Sequence, residues 1–163
     1  MPDYTFETFD MASAEFLASI GVKSIILDVD NTLEPYENPL PTPPVLQWFS
    51  ELSEAGIKAA IVSNNDACRI NLFNTDLGLV AYSKAGKPFK KNVLRAMNDI
   101  GAEPESTVLM GDQIFTDVWA AHNAGIRAIL VPPIRDKRDI LTRFKRWLEK
   151  PILKKYERKR NNK

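Results

Sequence analysis

The 163-residue chain holds one cysteine, one histidine and seven glycines. A lone thiol, Cys68, excludes an intramolecular disulfide and a cysteine-based zinc site. A lone imidazole, His122, excludes a His-rich metal centre and leaves little room for histidine acid–base chemistry. Both residues read as structural. Long apolar runs are missing too: Ala59–Val62 and Ala128–Val131 fall far short of the roughly 20 residues that cross a bilayer. No basic, apolar leader precedes them, since the sequence opens MPDYTFETFD, and a cytoplasmic protein is expected. What is present, 44% hydrophobic and 26% charged residues, suits one globular domain able to bury its own core.

The net charge of +1 conceals a division. Arg135–Lys163 carries thirteen Lys/Arg against four Asp/Glu, a balance of +9, whereas Met1–Ile134 carries nine against seventeen, a balance of −8. An acidic body is followed by a basic tail.

Apolar periodicity divides the body into alternating elements. Ser13–Ile20 predicts a short amphipathic helix closed by Gly21, and Ser24–Val29 a strand buried on both faces. Five prolines between Pro35 and Pro44 require an irregular loop over Glu34–Pro41, after which Thr42 and Pro43 are placed to start a helix. Further strands are expected at Ile57–Val62, Leu79–Tyr82, Thr107–Met110 and Ile126–Val131. Helices over about Asp66–Leu77, Phe89–Ile100 and Asp117–Ala124 separate them. Five short apolar strands alternating with helices predict an α/β fold, a parallel five-stranded sheet with helices on both faces. In the tail, Ile140, Leu141, Phe144, Trp147, Leu148, Ile152 and Leu153 recur at helical spacing amid basic residues, with Pro151 interrupting them.

Open parallel sheets bind ligands outside the carboxyl ends of their strands. Those ends carry Asp28 and Asp30, then Ser63 and Asn64, then Asp112, with Asp117 at the following helix and Lys87 between Gly86 and Pro88. An isolated aspartate after a strand is commonly a cap or turn former. Asp28, however, interrupts an apolar run, and two carboxylates two residues apart repel unless a cation or proton lies between them. Ser63 and Asn64 would cap the next helix if they stood alone, but they fall opposite that pair. Mg²⁺ favours such oxygen ligands and bridges carboxylates to phosphate; Asp28, Asp112 and a backbone carbonyl near Asp30 are suited to hold one. A carboxylate can also act as a nucleophile, forming an acyl phosphate, while Lys87 and Ser63 neutralise and fix the phosphoryl oxygens.

The run Asp28-Val29-Asp30-Asn31-Thr32-Leu33 resembles the first motif, DxDxT, of the haloacid-dehalogenase-like (HAD) phosphatases. Ser63, Lys87 and Gly111-Asp112-Gln113-Ile114-Phe115-Thr116-Asp117 resemble the second, third and fourth motifs, in order, over about Ser24–Val131. The variants DNTL, SNN, GKP and GDQxxTD are similar to the YqeG-like subfamily, which itself resembles phosphatidylglycerophosphate phosphatases. This resemblance implies a three-layer Rossmann-like HAD core over residues 1–134. It implies Asp28 as nucleophile, Asp30 as general acid and base, and Ser63, Asn64 and Lys87 as the phosphate site. Mg²⁺ would be held by Asp28, the Asp30 backbone carbonyl and Asp112, with Asp117 completing or orienting the shell.

Many phosphatases of this superfamily carry an inserted cap. Here 33 residues separate Asp30 from Ser63 and 24 separate Ser63 from Lys87, both consumed by expected elements, so no cap is predicted. An open site suits a phosphate displayed on a large body, such as a lipid headgroup or another macromolecule. Asn38 and Leu40 read as ordinary loop residues, with lining the entrance as the alternative. The basic segment 135–163 either packs its apolar face on the domain or lies on an anionic membrane, with nucleic acid a weaker partner. Phosphotransfer to another acceptor would share the same intermediate, and a non-catalytic phosphate- or nucleic-acid-binding module is the remaining alternative. A response-regulator receiver fold is disfavoured because the third strand, Leu79–Tyr82, holds no aspartate.

Overall fold

The computed structural model describes residues 1–135. The helical pattern expected across Ile140–Leu153, with its break at Pro151, lies outside them. The elements run β1 (Tyr4–Thr5), α1 (Ala14–Ser19), β2 (Ser24–Leu27), α2 (Pro43–Glu54), β3 (Lys58–Val62) and α3 (Ala67–Phe73). They continue with β4 (Val80–Tyr82), α4 (Lys91–Asp99), β5 (Thr107–Gly111), α5 (Trp119–Ala124) and β6 (Arg127–Leu130). The sheet is parallel throughout, in the order β1-β6-β5-β2-β3-β4. The five expected strands are joined by one more: β1, only two residues long, which pairs Tyr4 with Ile129 and Thr5 with Leu130.

Strand alternation divides the core into two layers. Ile25, Leu27 and Val29 face Leu17 of α1, Val45, Trp48 and Leu52 of α2, and Ile70 and Phe73 of α3. Ile26, Ala60 and Leu109 face Val93, Ala96 and Met97 of α4 and Ala120 and Ala121 of α5. Burying each such large side chain stabilises the fold by about 1.5–3 kcal/mol. Trp48 also satisfies its indole by donating to the Ala12 carbonyl at 3.1 Å. Because β2 is central and fully buried, a polar residue can follow it only where the strand leaves the sandwich. That exit places the site.

Caps explain most element ends. Ser13 Oγ accepts from the Phe16 N–H at 3.1 Å, and Asp66 Oδ1 from the Arg69 N–H at 2.9 Å. Thr42 stands at the start of α2 but does not cap it with its side chain. Pro44, at the second helical position, removes one of the two N–H groups it would serve. Its hydroxyl instead donates to Glu34, whose buried carboxylate also accepts from the Thr42 N–H at 2.9 Å and from Asn38 Nδ2 at 2.8 Å. Glu34 thereby pins both ends of the proline-rich loop. The helix expected from Asp117 opens with a π-helical turn over Ile114–Val118, and α5 proper begins at Trp119.

No domain is inserted between Asp30 and Ser63 or between Ser63 and Lys87; those intervals hold only the loop, α2, β3, α3 and β4. Among the described residues no helix is long and apolar enough to cross a membrane.

Candidate active site

Register brings the strand ends together. Leu27 pairs with Ile61 on one side and Met110 on the other, so Asp28, Ser63 and Asp112 leave the sheet on adjacent strands. The Asp28 N–H extends the ladder by donating to the Met110 carbonyl at 3.0 Å, and the Ser63 N–H does likewise to Tyr82 at 2.9 Å. Beyond Asp28 the chain turns sharply: the Val29 carbonyl accepts from Leu33 at 2.9 Å and Thr32 at 3.2 Å. Asn31 takes a left-handed conformation at φ 61°, which asparagine tolerates better than most residues. With Val29 anchored in the core, Asp28 and Asp30 both fall on the opposite side of the chain.

A polar cleft of about 260 Å³ opens there, lined by Asp28, Asp30, Ser63, Asn64 and Lys87. Tyr36, Asn65, Gln113 and Thr116 complete its wall and had not been expected. A larger groove of about 500 Å³, bounded by Leu46, Phe49, Leu77 and Leu79, is mostly apolar and includes none of the expected site residues. Asp112 and Asp117 lie beside the polar cleft: carboxylate oxygens of Asp28, Asp112 and Asp117 all fall within 4.8 Å of one another.

Lys87 sits among these acids. Its side chain is 1% exposed, and Nζ lies 2.6 Å from Asp117 Oδ1 and 3.1 Å from Asp28 Oδ1. Burial opposes its charge, yet Asp117 and Asp28 outweigh that penalty and hold the ammonium above the ordinary lysine value. For Asp117, burial pushes the carboxyl up and Asp28 adds to the push, against the opposing pull of Lys87. The second Asp117 oxygen accepts from the Gln113 N–H at 3.0 Å. Asn64 grips the Lys87 backbone from both sides, its Oδ1 accepting from N–H at 2.8 Å and its Nδ2 donating to the carbonyl at 3.0 Å. The side chain expected to bind phosphate thus spends its amide on fixing Lys87. Ser63 is buried, and its Oγ accepts from the Asn65 N–H at 3.3 Å.

Gly111 explains how Asp117 comes so close. A Cβ placed on Gly111 would lie 2.2 Å from Asp117 Cγ, so only glycine admits the carboxylate over the strand end.

Asp30 has two partners that the sequence did not reveal. Arg69 Nε donates to Oδ1 at 3.1 Å, and Asn65 Nδ2 to Oδ2 at 2.7 Å. Arg69 extends further, donating from Nη1 to the Pro39 carbonyl at 2.8 Å, with its guanidinium 5.5 Å from the Phe73 ring centre. The available signal was a charge on the buried stripe that Arg69 shares with Ile70 and Phe73. Of the two loop residues considered, Asn38 is engaged by Glu34 and Leu40 is half exposed; Tyr36 is the loop side chain at the cleft. His122 and Cys68 lie elsewhere, His122 Nε2 being 3.2 Å from Asp3 Oδ2 and Cys68 exposed.

The acids suit a hard divalent cation. Among the described residues, the carboxylates of Asp28, Asp112 and Asp117 cluster around the Lys87 ammonium, an excess of negative charge, and the buried Asp28 Oδ1 has its ion-pair contact with Lys87 but no well-angled hydrogen bond. Oxygen donors of this kind match Mg²⁺.

The HAD-hydrolase-like family model matches residues 84–146. "Probable phosphatase YqeG" of Bacillus subtilis (strain 168) is 39% identical over 159 residues, covering 98% of this chain and 92% of that protein. Among solved structures, CbbY from Rhodobacter sphaeroides in complex with phosphate has a TM-score of 0.59 at 14% identity, covering 72% of this chain and 89% of that one. The cobalt-bound deoxy-D-mannose-octulosonate 8-phosphate phosphatase of Haemophilus influenzae has a TM-score of 0.57 at 18% identity, covering 70% and 80%. These two likenesses concern the fold. With its four motifs converging on one acidic cleft and a relative this similar over nearly its whole length, the chain belongs to the HAD-like hydrolases, as a phosphatase of the YqeG type.

Proposed function

We propose that this phosphatase hydrolyses a phosphomonoester through a phosphorylated Asp28, with Asp30 carrying the proton in each half of the reaction. In the first half, an Asp28 oxygen bonds to phosphorus as the bond from phosphorus to the leaving oxygen breaks, and Asp30 gives that oxygen its proton. In the second, Asp30 takes a proton from water, the water oxygen bonds to phosphorus, and the bond to Asp28 breaks. Ser63 and Lys87 hold phosphoryl oxygens, and Asn64 serves the phosphate site by fixing Lys87. Asp28, Asp112 and the Asp30 main-chain carbonyl would hold Mg²⁺, with Asp117 completing or orienting its shell. The ion supplies charge neutralisation for the phosphoryl group. The observation carrying this reading is Asp28 itself: it lines the cleft, 3.1 Å from a buried ammonium and among carboxylates that need a cation.

The substrate in this reading is a phosphate displayed on a large body, specifically a phospholipid headgroup such as that of phosphatidylglycerophosphate. Support comes from the uncapped cleft and from the charge of segment 135–163, taken as a unit distinct from the 1–134 core. The Ile134 N–H donates to the Asn31 carbonyl at 3.0 Å, which puts Ile134, the residue before the basic segment, beside the loop that carries Asp30. A cytoplasmic enzyme touching an anionic membrane through that segment would present its cleft to headgroups. Phosphate release with Mg²⁺ from phosphorylated lipids in vesicles, sugar phosphates and nucleotides tests this. The expected result is highest kcat/KM on the lipid, falling when 136–163 is removed while a soluble aryl phosphate is still hydrolysed. Equal turnover of lipid with and without the segment would reject the membrane role, and no turnover of any monoester would reject the activity.

A further inference from the structure

We infer that Arg69 is a positioning residue for the proposed acid: it holds Asp30 Oδ1 on the protein side, so that Oδ2 is the oxygen that serves the leaving group. The inference rests on the proposed role of Asp30 as general acid.

The two Asp30 oxygens have different surroundings. Oδ1 faces Arg69, a charged residue with 9% exposure that is not among those lining the cleft. Oδ2 faces Asn65, which does line it and is only part-buried. Each oxygen already accepts from one donor and keeps a second acceptor site, so what differs between them is the donor that a proton on that oxygen would weaken. A proton on Oδ1 would weaken the charge-assisted contact to Arg69, whereas a proton on Oδ2, the oxygen on the cleft side, weakens only the bond from the neutral Asn65 amide. Arg69 cannot exchange places with Asn65, because its Nη1 is committed to the Pro39 carbonyl and its plane lies against Phe73. Its Nη2 is buried with no hydrogen-bond partner among the described residues. A lysine would supply the charge but not this rigid fork.

Pro39 adds a second consequence. It belongs to the loop that also sends Tyr36 into the cleft, and Glu34 pins that loop through Asn38 and Thr42. Arg69 therefore bridges the proton-carrying residue and the wall the leaving group must pass. Acid and entrance are held as one unit.

The test compares kcat and KM for an alkyl phosphate and 4-nitrophenyl phosphate in wild type, Asp30→Asn, Arg69→Met, Arg69→Lys and the double variant Asp30→Asn/Arg69→Met, all with saturating Mg²⁺. An alkoxide leaves poorly without a proton, whereas nitrophenolate needs little help. Arg69→Met should lose about tenfold more kcat on the alkyl ester than on the aryl ester, a part of the effect of a general acid. The double variant should show no further discrimination than Asp30→Asn alone. Arg69→Lys should melt near wild type yet keep part of the defect, and it carries the test should Arg69→Met fail to fold. A discriminating Asp30→Asn with equal losses on both esters for the Arg69 variants overturns this inference and spares the acid assignment. An Asp30→Asn variant with equal losses on both esters overturns both.

Discussion

Lys87 Nζ lies 2.6 Å from Asp117 Oδ1, with both side chains 1% exposed. Lys87 is therefore structural, apart from its proposed hold on phosphate: it is the counter-charge that lets Asp28 and Asp117 share a dry strand end. Lys87→Met should cost about 3–5 kcal/mol of folding stability without metal, because it leaves buried carboxylates unpaired. The folded pKa of Lys87 is raised, so its stabilisation is complete below the ordinary lysine value and is lost only as pH rises through the raised one. Chemical denaturation at pH values between the raised Asp117 value and the raised Lys87 value should thus show the same loss at each pH. A loss confined to one end of that range would contradict the assignment.

Gly111 offers a cleaner perturbation, because it carries no chemistry of its own. Gly111→Ala places a methyl group 2.2 Å from Asp117 Cγ and must displace that carboxylate or the strand end. Loss of turnover and weaker Mg²⁺ binding, measured by calorimetry, are expected together. An alanine variant with wild-type turnover would show that the position of Asp117 is unimportant.

Asp117 also gives the metal effect a pH dependence. Its folded pKa is raised, so ionising it costs the metal-free fold: that contribution is best at low pH and worsens as pH rises through the raised value. In the proposed mechanism Mg²⁺ binds the folded form and would offset the repulsion. The Mg²⁺-induced rise in Tm should therefore grow over the pH range in which Asp117 ionises, up through its raised value. A rise that is flat over that range, or persists in a variant with Asp112→Ala, would place the ion elsewhere.

Asp28, Asp30, Ser63 and Asp112 were legible because each ends or follows an apolar strand, Lys87 because it stands between Gly86 and Pro88 ahead of a helix, and a parallel sheet sends all such positions to one edge. Arg69 and Asn65 were not, since their importance lies in reaching from the start of α3 back to Asp30, a distance in space that no sequence period encodes. Strand β1 escaped notice because two residues are too few to show alternation. Thr42 satisfied the usual rule for a helix start, but the demand of a buried Glu34 for donors prevailed over the rule. The π-helical turn at Ile114–Val118 follows from tertiary need: it brings Asp117 back over Gly111, which local propensity alone does not foretell.

The central claim is that phosphate passes through Asp28. Rapid quenching during turnover of a phosphomonoester with Mg²⁺, followed by peptide mass spectrometry, measures it directly. A phosphoryl group should appear on the peptide containing Asp28 and disappear with Asp28→Asn, whose fold, read by its thermal melt, should persist while turnover is lost. Near-wild-type turnover by Asp28→Asn, or phosphate trapped on another residue, would contradict the account.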